Sequence, residues 1–134
     1  ELAQAGSGRR EELLQKYRDG KGVTYTEGLS GAIPQLGGDD KRKARDALAE
    51  RLTRMKADTL TRYFQDQDAE IRRAAALAAA MKEAKTLIPD LIPLLADPEP
   101  MVAHAAHAAL KDLSGETLGP SEDEWKAWWK NRDR

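Results

Sequence analysis

Apolar residues recur along this chain at spacings of three and four, the mark of one-sided helices. Leu13, Leu14 and Tyr17 predict a first helix over 9–18, stopped by the turn Asp19-Gly20-Lys21-Gly22. Thr24-Tyr25-Thr26-Glu27 reads as a capping box, followed by a helix that carries Leu29, Ile33 and Leu36 and ends at Gly37-Gly38. Ala44, Ala47, Leu48, Leu52 and Met55 form one stripe over 39–55, with Asp39 and Asp40 at its start and Arg51 and Arg54 near its end, as the helix dipole favours. A short helix over 58–65 turns Leu60, Tyr63 and Phe64 inward, and a partner over 69–82 does the same with Ile71, Ala75 and Ala78. Over 86–96, Pro89 sits in a tolerant first turn, whereas Pro93 should bend the helix. Val102, Ala105, Ala106, Ala109, Leu110 and Leu113 stripe a helix over 98–113 that Ser114-Gly115 ends. A second capping box, Ser121 to Glu124, opens a helix with Trp125, Trp128 and Trp129. No strand is needed.

Part of this pattern is repeated. Residues 63–81 read YFQDQDAEIRRAAALAAAM and 94–112 read LLADPEPMVAHAAHAALKD, 31 positions later: Asp66 falls on Asp97, Ile71 on Val102, Ala75 on Ala106 and Ala78 on Ala109. Repeats of about 30–47 residues with two amphipathic patterns each mean stacked helical hairpins, because one hairpin buries its face only against the next. The alanines suit this, since small side chains let helices cross closely. The expected fold is all-α: an α-solenoid of about three helical hairpins, over 24–55, 57–82 and 86–113, closed by a tryptophan-bearing cap helix over 121–131. Residues 1–8 (ELAQAGSG) are expected as a flexible end or linker, and 9–134 as a single domain.

DQDAEIRRAAALAAAM and DPEPMVAHAAHAAL resemble the second helices of HEAT repeats, in the short bacterial form often called PBS-lyase HEAT-like, and LIPDLIPLL resembles a first helix with its proline. The shared pattern is an Asp, a short Pro- or acid-rich turn, a β-branched residue, often an Arg, then an alanine-rich face. The resemblance is carried by 57–113 and more weakly by 25–55, where only ARDALAERL aligns; it leaves out 1–22 and 118–134. Arg72 keeps the Arg, but the last repeat has Ala103 there, and Asp40 stands where the first unit's β-branched residue belongs. The resemblance implies a scaffold for proteins or peptides, and only in a minority of branches a reaction, as in bilin lyases or DNA glycosylases.

Composition narrows the partner. Charged residues make up 34% of the chain, yet the formal net charge is -1, so acids and bases are interspersed and the basic excess of a dedicated nucleic-acid binder is missing. The absence of cysteine removes disulfides, thiolate metal sites and Cys nucleophiles together. No apolar run approaches the roughly 20 residues that span a bilayer, and no signal peptide is visible. Neither a nucleic acid nor a membrane is expected as a partner, and the compartment is left open between bacterial cytoplasm and export within a larger chain. A start at Glu1 instead of Met suggests a processed product or a piece of a longer protein.

Candidate chemistry is sparse. His104 and His107 are the only histidines, and their i, i+3 spacing permits a metal pair, but no third ligand accompanies them, so neither a metal nor a cofactor is expected. Asp66 and Arg72, six apart across a turn, suit an ion pair or a turn cap better than catalysis. No nucleophile–base set and no phosphate-binding loop stand out. The 31-residue register is more informative: it aligns Arg42, Arg73 and His104, opposite the apolar stripes, with Lys111 extending the column at one end. Such a basic column suits an acidic peptide, a phosphate or a carboxylate-bearing polymer, and a partner protein or acidic peptide is the expected partner. Trp125, Trp128 and Trp129 are expected to cap the last repeat against Leu110 and Leu113, with an aromatic contact platform as the alternative. The expected function is therefore a non-catalytic interaction scaffold, with a structural spacer of a larger protein as the alternative and a HEAT-like enzyme ranked below both.

Overall fold

A computed structural model describes residues 2–132, and every regular element among the described residues is helical. The chain forms two compact units, Glu1–Arg54 and Met55–Arg134. The boundary falls at the end of the first expected repeat.

The first unit consists of α1 (Ser7–Asp19), α2 (Val23–Ala32), which runs into a 3₁₀ turn at Ile33–Gln35, and α3 (Gly38–Leu52). Each of the three helices packs on the other two, around Leu13, Leu29, Ile33, Ala44, Leu48 and Leu52. Tyr17 lies on Gly28 and Tyr25 on Gly20, with the two rings edge to face at 5.5 Å. A Cβ on Gly28 would sit 2.3 Å from the Tyr17 ring, so glycine is what lets α1 and α2 approach.

Three expectations change here. Thr24 is not a cap: α2 already begins at Val23 behind Gly22, whose φ of 107° only glycine adopts readily. The cause is Arg51, which gathers the carbonyls of Gly20 and Gly22 and sets where the helix starts. The stripe of α3 ends at Leu52, because Thr53 and Arg54 tighten into a turn, and Met55 belongs to the second unit. The segment expected as a flexible end holds a core residue. Leu2 is 2% exposed, Ala5 N–H donates to the Leu2 carbonyl at 3.4 Å, and the Ala3 carbonyl accepts from Arg10 at 3.1 Å.

The second unit begins with α4 (Ala57–Tyr63) and α5 (Ala69–Met81). A broken helix follows: a 3₁₀ turn at Lys85–Leu87, one α turn, α6 (Ile88–Leu91), and a 3₁₀ stretch at Ile92–Ala96. The expected bend at Pro93 is a change of helix type. Pro89 and Pro93 each remove a donor, and the backbone tightens around the gaps while Leu87, Ile88, Leu91, Ile92 and Leu94 stay buried. α7 (Pro100–Ser114) ends on Gly115 in the left-handed conformation, as Ser114-Gly115 predicted. α8 (Glu122–Asn131) is capped by Ser121, whose hydroxyl accepts from Glu124 N–H at 3.4 Å.

The 31-residue step governs more of the chain than the resemblance covered. α1, α3, α5 and α7 begin at residues 7, 38, 69 and 100. Leu13, Ala44, Ala75 and Ala106 share one position in that register, and all are buried. α1 therefore has the timing of a second helix, although Leu13 stands where the later helices have alanine.

Candidate interaction surface

In the second unit α5 packs along α7, with Ala74, Ala75, Ala78, Ala105, Ala106 and Ala109 buried. Arg73 and His104 are each the fifth residue of their helix, so they take equivalent places on two packed neighbours. Arg73 is half-buried and His104 exposed. One turn on, in the same rows, come half-buried Leu77 and exposed Ala108, and Lys111 is exposed in the last turn of α7. Basic groups thus neighbour one half-buried leucine and one exposed alanine. Arg42 is the fifth residue of α3 in the first unit; it is exposed and pairs with Asp39 at 3.1 Å. The same place in α1 holds Glu11, which accepts from Lys43 at 3.1 Å.

At the turn before α5, the Asp66–Arg72 expectation is met in part. Asp66 caps its turn by accepting from Asp68 N–H at 2.9 Å, and Arg72 donates to the Asp66 carbonyl at 2.8 Å. The ion pair goes elsewhere, to Asp97, the register equivalent of Asp66. Asp97 accepts from Glu99 N–H at 2.9 Å, reproducing the Asp66 turn one step later. Burial pushes the Asp97 carboxyl up, but the Arg72 hydrogen bond, the Glu99 N–H and the Arg72 charge outweigh it and hold the group below its usual range. Arg72 is held above its ordinary value, chiefly by its hydrogen bond to Asp97.

The histidines separate in role. His104 faces solvent, whereas His107 is half-buried, with Nε2 2.8 Å from the Leu118 carbonyl and its ring edge-on to Trp125. Among the described residues, no group of three or more His, Asp or Glu side chains is arranged to hold a metal.

Trp125 is fully buried, and its indole N–H donates to the Gly119 carbonyl at 2.7 Å. Leu110 and Leu113 are buried, but the main neighbour of α8 is the 92–96 stretch. Trp128 and Trp129 are half-buried. Trp128 meets the edge of Trp125 and donates to Glu116 at 3.2 Å; Trp129 is covered by the Arg132 guanidinium at 3.5 Å. One tryptophan is core and two form a half-covered shelf.

Two features of the first unit carried little sequence signal. The first is Arg51, 4% exposed, which donates to Thr26 Oγ1 at 2.7 Å, to the Tyr17 carbonyl at 3.1 Å and to the carbonyls of Gly20 and Gly22. Its position near a helix end suggested only a dipole partner. The second is a groove of about 550 Å³ between α1 and α3, floored by Leu14 and Ala47 and crossed by the ion pairs Lys43–Glu11 and Arg18–Glu50. These pairs depend on α1 lying beside α3, which spacing along the chain does not reveal.

No helix among the described residues is long and apolar enough to cross a membrane. No family profile, curated protein or solved structure matches this chain.

Proposed function

We propose that the protein is a non-catalytic interaction scaffold, an α-solenoid of HEAT-like hairpins that captures a partner protein or an acidic peptide along its second helices. The observation that carries this reading is the constant 31-residue step of α3, α5 and α7, which gives Arg42, Arg73 and His104 the same place on each helix. Lys111 adds a charge at one end, and Leu77 and Ala108 supply apolar contact beside the basic groups. Charge-assisted hydrogen bonds to carboxylates supply specificity there.

The test is fluorescence anisotropy with a labelled oligoglutamate peptide at low salt. Binding is expected to weaken roughly ten-fold or more in Arg73→Glu/His104→Glu, and less in Arg42→Glu. Equal binding by wild type and the double variant, both folded by circular dichroism, would remove the α5–α7 face from the proposal.

A further inference from the structure

The first unit contains the end of a helix position that the described residues do not fill. Leu2, Ile33 and Phe64 follow one another at the 31-residue step, and all three are buried. The hydrogen bond from Ala5 N–H to the Leu2 carbonyl repeats, 31 residues early, the one from Leu36 N–H to the Ile33 carbonyl that closes the turn after α2. Residues 2–5 thus do what the end of a first helix does, and α1 follows them as α3 follows α2.

A cavity of about 310 Å³ lies beside them, lined by Leu2 and Ala3 on one side and by Gly28, Gly31 and Ala32 of α2 on the other. The second unit shows what belongs there. A smaller cavity of about 150 Å³ separates Thr61, Phe64 and Gln65, at the end of α4, from Asp90, Pro93 and Leu94 of the next first helix. Two steps of 31 earlier, Phe64 and Gln65 become Leu2 and Ala3, while Asp90, Pro93 and Leu94 become Gly28, Gly31 and Ala32. Every residue of the smaller cavity except Thr61 has its equivalent in the larger one. The larger space is also lined by Gln4, Tyr17, Glu27 and Gln35, and no described residue takes the place that Thr61 has in the smaller one. A Cβ at Gly31 would meet nothing within 4 Å.

We infer that this face of α2 is a docking slot for a helix equivalent to α4, joined directly to Leu2 and running parallel to α2. The occupant carries an apolar residue four positions before Leu2, as Leu60 stands before Phe64, and small or short side chains toward Gly31. The slot is independent of what the α5–α7 face binds.

The experiment grafts a copy of residues 57–63 onto the full chain in place of Glu1, so that the copy runs into Leu2 as α4 runs into Phe64. A second graft carries one extra alanine at the junction, which turns the helix by about 100°. The in-register graft is expected to raise Tm by roughly 3 °C or more and to slow amide exchange at Gly31 and Ala32, while the shifted graft does neither. Gly31→Leu is expected to be tolerated in the ungrafted chain and to erase the gain of the graft. Equal behaviour of the two grafts, no change with either, or a gain that survives Gly31→Leu would overturn the assignment.

Discussion

Arg72 meets Asp97 through two near-parallel hydrogen bonds, Nε to Oδ2 at 2.8 Å and an η nitrogen to Oδ1 at 3.1 Å, while its other η nitrogen donates to the Asp66 carbonyl. One side chain thus closes its own turn and fastens the equivalent turn of the next hairpin. Arg10 does a related job in the first unit, holding the Ala3 carbonyl before α1 and Asp40 at 2.5 Å in α3.

Because Asp97 is nearly buried and fully partnered, Asp97→Ala leaves a guanidinium without its carboxylate and is expected to cost about 2–3 kcal/mol in urea unfolding. The native carboxyl lies below its unfolded value, so its contribution is complete above about pH 4 and fades as pH falls through the native value. Asp97→Asn should therefore flatten the acid limb of the stability profile. An unchanged acid limb would mean that the pair contributes nothing.

Arg51 is the buried cation of the first unit, satisfied by Thr26 and by backbone carbonyls. Arg51→Met strands these acceptors and is expected to cost about 3 kcal/mol or more, with Thr26→Val costing about 1 kcal/mol. A double-mutant cycle should give a clear coupling energy; additive losses would contradict the contact.

Glu83 has φ of 55°, the only non-glycine residue among those described with positive φ. It stands just past the end of α5, where Ala84 N–H reaches back to the Ala79 carbonyl at 3.0 Å, the place where glycine usually serves. Glu83→Gly is expected to stabilise the chain by about 0.5–1 kcal/mol, read as a rise in Tm. A fall would show that the Glu83 side chain makes a compensating contact.

Trp125→Ala empties a fully buried site and is expected to cost about 3–5 kcal/mol. Trp129→Ala, on the half-covered shelf, should cost less than about 1 kcal/mol. Similar losses at both positions, measured by denaturant unfolding, would contradict the division of the three tryptophans into one core residue and two surface ones.

The helical content, the 31-residue timing of the later helices and the alanine faces were all legible in the chain. Spacings of three and four set the buried side of each helix, and small residues at fixed intervals set how closely helices approach, so Ala75 and Ala106 announce their places without help from distant residues. The register that aligns Arg42, Arg73 and His104 is likewise a property of the sequence. Tertiary structure alone decided which long-range partner each polar group found. Arg72 turned from Asp66 to Asp97, Arg51 moved from a helix end into a buried ring of carbonyls, and His107 closed on the Leu118 carbonyl and Trp125. It also drew Leu2 and α1 into the 31-residue step, where a leucine in place of alanine had hidden the match. Helix spacing is a local consequence of 3.6 residues per turn, whereas the partner of a buried charge depends on which carbonyls and carboxylates the packed helices leave within reach.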